Sequence, residues 1–137
     1  IIANNASLGG HVIIEDHAIL GGMVAVHQFV RIGRHAMIGG ASAVDADIIP
    51  YGSVSGDRAH LLGLNLVGLK RRGFGNEEIH AWQKAYRMLF GPEGTLQERL
   101  DDVADTYTSN GLVSDIVDFA QADSHRPICQ PRNNRGG

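Results

Sequence analysis

The sequence has a single cysteine, few aromatic residues and no long apolar run. Cys129 has no second cysteine with which to form an internal disulfide, so a reducing compartment is expected. No stretch of 18 consecutive apolar residues occurs, and we therefore expect no integral membrane segment. Because only 6% of the residues are aromatic, the core must be mainly aliphatic, which suits regular, repeated packing.

Charge of either sign is also modest. Twelve Lys and Arg residues against 15 Asp and Glu give a net charge of -3, which argues against nucleic acid or an anionic membrane surface as a partner. The 137 residues fit one domain with a small appendage. Ile1 falls inside the repeat described next, so we expect the chain to be the C-terminal portion of a longer one.

Aliphatic residues recur at every sixth position of the first part of the chain. They are Ile2, Leu8, Ile14, Leu20, Val26, Ile32, Ile38 and Val44. Small or β-branched residues lie four positions after each of them. Three such units close a triangular coil of 18 residues, which predicts a parallel β-helix. The general rule favours right-handed crossovers, and the spacing does not overturn it.

Glycine follows the aliphatic residue in several of the six-residue units. The examples are Gly9, Gly21, Gly33 and Gly39. Glycine adopts positive φ at little cost, so the sequence predicts that the coil turns its corners at these positions.

The six-residue period ends at Pro50 and gives way to helical periodicity. We expect a β-helix over residues 1–54, a Gly-rich connector over 55–75, an α-helical domain over 76–125 and a loose tail over 126–137. The first helix is predicted to be capped by Asn76, the second by Thr95 in a capping box with Glu98, and the third to begin at Ser114.

Residues 18 apart should lie one above the other on such a coil. This rule stacks Gly10 on Gln28 and brings His11 and His27 to the same patch, where acid–base and hydrogen-bonding groups converge. The alternative is that these are ordinary solvent-facing polar residues. His17 and His35 also stack, either as a simple ladder or as zinc ligands that need a third ligand from another chain.

Two further features carry alternative interpretations. Gly22 and Gly40 stack beneath Asn4 and form either an economical corner or a groove for an extended apolar ligand. The cluster of Lys70, Arg71 and Arg72 is either a solvated surface or a site for a phosphate or an acidic carrier protein.

Two segments give the sequence a more specific resemblance. They are GGHVIIEDHAILGGMVAVHQFVRIG, from Gly9 to Gly33, and GLNLVGLKRRGF, from Gly63 to Phe74. With the hexads they resemble the UDP-N-acetylglucosamine O-acyltransferase family of lipid A biosynthesis, over nearly the whole chain. The resemblance implies a left-handed parallel β-helix, a C-terminal α-helical domain, a cytoplasmic homotrimer in a Gram-negative bacterium, and active sites between neighbouring subunits.

The resemblance also implies a reaction. In this family a histidine acts as general base on the 3-hydroxyl of UDP-N-acetylglucosamine, or on a 3-amino group in some members. The activated group attacks the phosphopantetheine thioester of an (R)-3-hydroxyacyl acyl carrier protein. No covalent acyl-enzyme, metal or other cofactor is implied.

Family roles carry over to named positions of this sequence. The oxyanion-stabilising amide falls on Gly10, and such a donor is worth about 3–4 kcal/mol. The remaining implied roles are sugar and acyl contacts at His11, His27 and Gln28, nucleotide contacts at Asn65 and Arg71, an acyl groove at Gly22 and Gly40 with Gly40 limiting chain length, and carrier-protein docking at Lys70 and Arg72.

Two departures from the family pattern bear on activity. Val67 replaces an acidic residue that many members use near the nucleotide. The catalytic histidine should lie one coil before Gly10, upstream of Ile1, so we expect the chain by itself to be inactive. Three other readings remain: a related N-acyltransferase that acts later in the same pathway, a β-helical zinc hydratase, and a non-catalytic assembly scaffold.

Overall fold

A computed structural model describes residues 1–132 and divides the chain into two compact units. The first, here called the coil unit, comprises residues 1–65 and the segment that starts at residue 123. The second, the helical unit, comprises residues 66–122.

The coil unit is built from short strands that pair in parallel with strands one coil away. They are β1 (Ser7–Leu8), β2 (Ile13–Ile14), β3 (Ile19–Leu20), β4 (Ala25–Val26), β5 (Arg31–Ile32), β6 (Met37–Ile38), β7 (Ala43–Val44), β8 (Gly52–Ser55) and β9 (His60–Leu64). The sheets have the orders β1-β4-β7, β2-β5 and β3-β6-β8-β9, with only β9 antiparallel to its neighbour. Ser7 pairs with Ala25, which confirms both the parallel β-helix and its 18-residue coil.

The inward aliphatic side chains form the core of the coils. Leu20, Val26, Ile32, Ile38 and Val44 are at most 4% exposed. Each contributes about 1.5–3 kcal/mol through burial. At the open end of the coil, the sixth-position residues Ile2 and Leu8 stay about half exposed because no described coil covers them.

The corners of the coil differ from the sequence prediction. Positive φ occurs three residues after each aliphatic position from Ile2 to Ile38, at Asn5, His11, His17, Met23, Phe29, His35 and Ala41, and again at Tyr51. These residues form three columns, which we call corner A (Asn5, Met23, Ala41), corner B (His11, Phe29) and corner C (His17, His35, Tyr51). The prediction that Gly9, Gly21, Gly33 and Gly39 turn the corners was wrong, since none of them has positive φ.

These glycines instead allow neighbouring coils to approach closely. A Cβ atom on Gly21 would lie 2.6 Å from the backbone nitrogen of Gly40. A Cβ atom on Gly33 would likewise collide with Pro50 of the coil below. Since both obstacles are backbone or ring atoms, no rotamer change can relieve them, and packing between coils explains the glycines.

The coil continues slightly beyond Pro50. Val54 pairs in register with Ile38 and takes the next inward position after a coil two residues shorter than the others. The connector predicted over 55–75 therefore contains ordered elements, since β9 folds back on β8 and α1 follows it.

The segment over residues 123–132, here called the C-terminal segment, packs along the coil unit. Ile128 forms a parallel bridge with Asp47, and Pro131 forms one with Leu61. Cys129 is only 3% exposed. The predicted loose tail over 126–137 is thus wrong for residues 126–132, because their backbone is paired with that of the coil; residues 133–137 lie outside the described part.

The helical unit contains α1 (Leu66–Arg71), α2 (Asn76–Leu89), α3 (Leu96–Thr106) and α4 (Gly111–Gln121). The sequence placed two helix starts incorrectly: Gly75, not Asn76, is the N-cap of α2, and Asn110 caps α4, which begins before Ser114. The predicted Thr95 cap is confirmed, since its hydroxyl accepts from the Glu98 amide. No helix within residues 1–132 is long and apolar enough to cross a membrane.

Candidate functional site

Corner B brings together most of the residues expected at the patch. The imidazole of His11 stacks on the Phe29 ring with centroids 5.0 Å apart and an interplanar angle of 4°. The Phe29 amide donates to the Gly10 carbonyl at 3.0 Å. Gly10 and Gln28 therefore lie on adjacent coils, as the 18-residue rule requires.

Gly10 lies beside open space. No atom would come within 4 Å of a Cβ atom placed on it, and its φ is not positive. Neither packing nor backbone conformation thus requires glycine at this position, in contrast to Gly21. A glycine backbone that is open on one side is suited to close approach by a ligand.

The polar side chains of corner B are exposed. His11, His27 and Gln28 are all on the surface of the chain, and the backbone of His27 and Gln28 lies against Gly9 of the coil above. The imidazole rings and the side-chain amide of Gln28 can each donate and accept hydrogen bonds.

Corner A carries the side-chain-free surface expected at Gly22 and Gly40. The Gly22 carbonyl accepts from the Ala41 amide at 2.8 Å, and the Asn4 carbonyl accepts from the Met23 amide at 3.0 Å. A Cβ atom on Gly40 would make only ordinary contact, 3.4 Å from the Gly22 oxygen. Close packing therefore does not account for glycine at this position.

Asn65 lies beside corner C. It is only 8% exposed, and its side-chain nitrogen donates to the His35 carbonyl at 3.0 Å. Its amide nitrogen donates to the Tyr51 carbonyl. The described contacts of Asn65 thus tie the end of β9 to the coil, while its expected role in nucleotide binding stays a prediction.

The basic cluster lies in the helical unit. Lys70 and Arg71 end α1 and Arg72 follows them, and all three are exposed. Val67, in the same helix, is 61% exposed.

Corner C confirms the predicted stack of His17 on His35. Their rings are 4.8 Å apart at 12°, and His35 stacks in turn on Tyr51 at 4.9 Å. Parallel rings meet through their faces, whereas two histidines that share a metal direct their ring nitrogens at one point. Within residues 1–132, no group of three or more His, Cys, Asp or Glu side chains could hold a metal ion.

Sequence reasoning missed several residues next to the patch. Phe29 could have been found, since it lies 18 residues after His11 and the same rule applies. His125 and Arg126 gave no comparable signal, because the C-terminal segment reaches corner B from a part of the chain without the repeat.

A known protein family matches a large part of the chain. The model of a protein family described as UDP-N-acetylglucosamine O-acyltransferase, domain 2, matches residues 47–129. The chain belongs to this acyltransferase family. The match covers the end of the coil, the helical unit and most of the C-terminal segment.

Curated members of the acyltransferase family align with almost the entire chain. A protein of Caulobacter vibrioides named acyl-[acyl-carrier-protein]--UDP-N-acetylglucosamine O-acyltransferase is 58% identical over 131 residues, which are 96% of this chain and 50% of that protein. A protein of the same name from Sinorhizobium fredii is 47% identical, over 100% of this chain and 50% of its own length. The chain thus spans about half the length of these relatives.

Solved structures of acyltransferases from the family have the same fold. UDP-N-acetylglucosamine acyltransferase of Arabidopsis superposes with a TM-score of 0.88 at 39% identity, over 95% of this chain and 48% of the other. The enzyme of Campylobacter jejuni gives 0.86 at 37% identity, over 96% and 51%.

Proposed function

We propose that this chain forms the C-terminal half of an enzyme that transfers an (R)-3-hydroxyacyl group from acyl carrier protein to the 3-position of UDP-N-acetylglucosamine, the first step of lipid A biosynthesis. The observation that carries the proposal is corner B, where His11 and Gln28 flank the open backbone of Gly10. Family membership and the names of the full-length relatives support it.

In the proposed mechanism, the groups at corner B bind the acceptor and stabilise the transition state. The amide of Gly10 donates to the thioester carbonyl as it gains negative charge, which is worth about 3–4 kcal/mol. His11, His27 and Gln28 hold the sugar and the reacting end of the acyl chain. The general base is a histidine of the preceding coil, which takes the proton of the acceptor group. The acyl carbon exchanges its bond to the phosphopantetheine sulfur for one to the acceptor atom, and the carrier protein leaves as its thiol. No metal or other cofactor takes part.

The arrangement of the candidate residues supports an assembly of several copies. Gly10, His11 and Gln28 lie at corner B, Gly22 and Gly40 at corner A, and Asn65 beside corner C. Successive corners are separated by six residues of extended chain, about 15–20 Å at a rise of 3.3 Å per residue. A single ligand reaches these groups more readily when a neighbouring subunit supplies one corner, which supports a homotrimer. The proposed enzyme has left-handed coils and is cytoplasmic.

Further roles complete the proposal. Asn65 and Arg71 contact the nucleotide, Lys70 and Arg72 dock the acidic carrier protein, and the helical unit serves as the C-terminal helical domain.

The face-to-face stack of His17 and His35 makes a zinc hydratase a poorer fit than an acyltransferase.

The decisive experiment compares the 137-residue chain with the full-length polypeptide that carries it. Acyl transfer to UDP-N-acetylglucosamine is measured for both with a 3-hydroxyacyl carrier protein. We expect turnover by the full-length protein but not by the 137-residue chain. We also expect His11→Ala and Gln28→Ala each to abolish turnover by the full-length protein. Turnover by the short chain would disprove the requirement for an upstream histidine, and unaltered kinetics in both variants would remove corner B from the active site.

A further inference from the structure

The C-terminal segment makes direct contact with corner B. The ring of His125 stacks on Phe29 with centroids 4.4 Å apart and an interplanar angle of 28°. Phe29 also stacks on His11, so its ring lies between two imidazoles. His125 therefore supports the ring on which the candidate substrate-binding histidine rests.

Arg126 holds the backbone at the same corner. Its Nε donates to the carbonyl of Gln28 at 3.1 Å, and its Nη1 donates to the carbonyl of Asp45 at 3.4 Å. Gln28 and Asp45 belong to adjacent coils. One guanidinium group thus joins the coil that carries the patch to the coil below it, with the planar fork that lysine lacks.

The segment is itself fixed on both sides of these two residues. Before them, the hydroxyl of Ser124 donates to a carboxylate oxygen of Asp47 at 2.5 Å. After them, the Pro127 carbonyl accepts from the Asp47 amide, and the Cys129 amide donates to the Asp47 carbonyl, both at 2.8 Å. Asp47, the common partner in these three contacts, is fully buried.

The backbone of corner B benefits from such support. Phe29 has a φ of 65°, a conformation that costs a residue with a side chain roughly 1–2 kcal/mol. Strained positions of this kind persist where the surrounding structure holds them. Aromatic stacking by His125 and the hydrogen bond from Arg126 to the preceding residue supply that restraint at Phe29.

We propose that His125 and Arg126 are positioning residues, which hold Gln28 and, through Phe29, His11 in the geometry that binds the sugar nucleotide. The inference rests on the proposed function and extends it to a segment outside the repeat. Neither residue needs to touch the substrate. Their loss should therefore weaken acceptor binding more than the chemical step.

The test is steady-state kinetics of the full-length protein with His125→Ala, His125→Phe, Arg126→Ala and Arg126→Lys. We expect His125→Ala and Arg126→Ala each to raise the KM for UDP-N-acetylglucosamine about tenfold, which corresponds to about 1.4 kcal/mol of binding free energy. The kcat should change by less than about twofold. His125→Phe should restore KM because it keeps a stacking ring, and Arg126→Lys should restore it only in part.

Arg99→Ala is the matched control. Arg99 also ties backbone carbonyls, since it donates to those of Leu89, Glu93 and Gly94, but it does so within the helical unit. Its substitution should lower the melting temperature without changing KM.

Three results would overturn the positioning role: a wild-type KM in both alanine variants, a KM for Arg99→Ala that rises as much as theirs, or no rescue by His125→Phe. In each case the wild-type enzyme still turns over and His11→Ala still impairs it, so the proposed function survives. Absence of acyl transfer by the wild-type protein would instead overturn the proposed function, and the positioning role with it.

Discussion

The carboxylate of Asp47 forms a buried ion pair with Arg31, with Nε and Oδ2 2.9 Å apart. The same carboxylate accepts from the Arg31 amide at 2.9 Å and from the hydroxyl of Ser124. The aspartate is fully buried, whereas 14% of the arginine side chain remains exposed. One side chain thus connects two coils with the C-terminal segment.

Replacement of Asp47 by alanine should be strongly destabilising. It leaves the Arg31 guanidinium without its carboxylate partner and removes the anchor of Ser124, and loss of one partner of a buried pair costs about 3–5 kcal/mol. Urea denaturation measures the change in the free energy of unfolding. The double variant Asp47→Ala, Arg31→Met should recover part of the loss because it also removes the positive charge that Asp47 neutralises.

The control for this prediction is Asp101→Ala in α3. Asp101 accepts from the Gln97 side chain in an exposed hydrogen bond, and surface changes of this kind cost less than about 0.5 kcal/mol. Equal losses in Asp47→Ala and Asp101→Ala would contradict the importance assigned to the buried pair.

Two glycines of the coil should respond in opposite ways to alanine. Gly21→Ala places a Cβ atom 2.6 Å from the Gly40 nitrogen, and such overpacking costs about 1–3 kcal/mol. Gly10→Ala places it in open space and should change the free energy of unfolding by less than about 0.5 kcal/mol. Thermal unfolding measures the stability of both variants. A Gly10→Ala protein as unstable as Gly21→Ala would contradict the prediction that the two glycines differ.

The regular part of the fold could be predicted from the sequence because every six-residue unit has the same arrangement. One aliphatic residue per unit fills the core, and residues 18 apart meet on adjacent coils, so the stack of His17 on His35 could be predicted before any coordinates. The corners could not, because positive φ at Met23 and Phe29 depends on support from neighbouring coils rather than on an intrinsic preference.

The C-terminal segment was unpredictable for a different reason. Ser124 and Asp47 are 77 residues apart, and no local pattern around Ser124 predicts their contact. Pro127 and Pro131 suggested a loose tail, although a chain that pairs with the edge of a coil can tolerate proline at positions whose backbone nitrogen is not needed as a donor. The predicted patch therefore lacked His125 and Arg126, the residues that we propose hold Gln28 and His11 in position.

Burial should make the thiol of Cys129 unreactive in the folded protein. It should also make the free energy of unfolding decrease at high pH. Burial, together with the negative charge of Asp45, raises the pKa of the thiol from 9.0 to about 11. A folded-state pKa above the unfolded value contributes stability that is fully present below pH 9. This stability is lost as the pH rises from 9 through 11, by about 3 kcal/mol in all.

Cys129→Ala provides the comparison for this titration. We expect the free energy of unfolding of the parent chain to fall more steeply between pH 9 and 11 than that of the variant, because other groups titrate equally in both. Native protein should also react slowly with iodoacetamide at pH 8 and rapidly once unfolded in urea. Parallel pH profiles of the two proteins would contradict the burial effect.

Gly40→Met should shorten the acyl chain that the full-length enzyme prefers. The φ of Gly40 is not positive and a Cβ atom there makes only ordinary contact, 3.4 Å from the Gly22 oxygen, so a side chain can begin at this position without a backbone change and extend over the surface at corner A. Each methylene excluded from an apolar pocket is worth about 1–3 kcal/mol in specificity, enough to invert the preference between chains that differ by two carbons. Transfer rates with a series of 3-hydroxyacyl carrier proteins measure this. Gly111→Met adds the same side chain at an open position of α4 and should leave the profile unchanged; a Gly40→Met profile equal to that of the Gly111 variant would show that corner A does not contact the acyl chain.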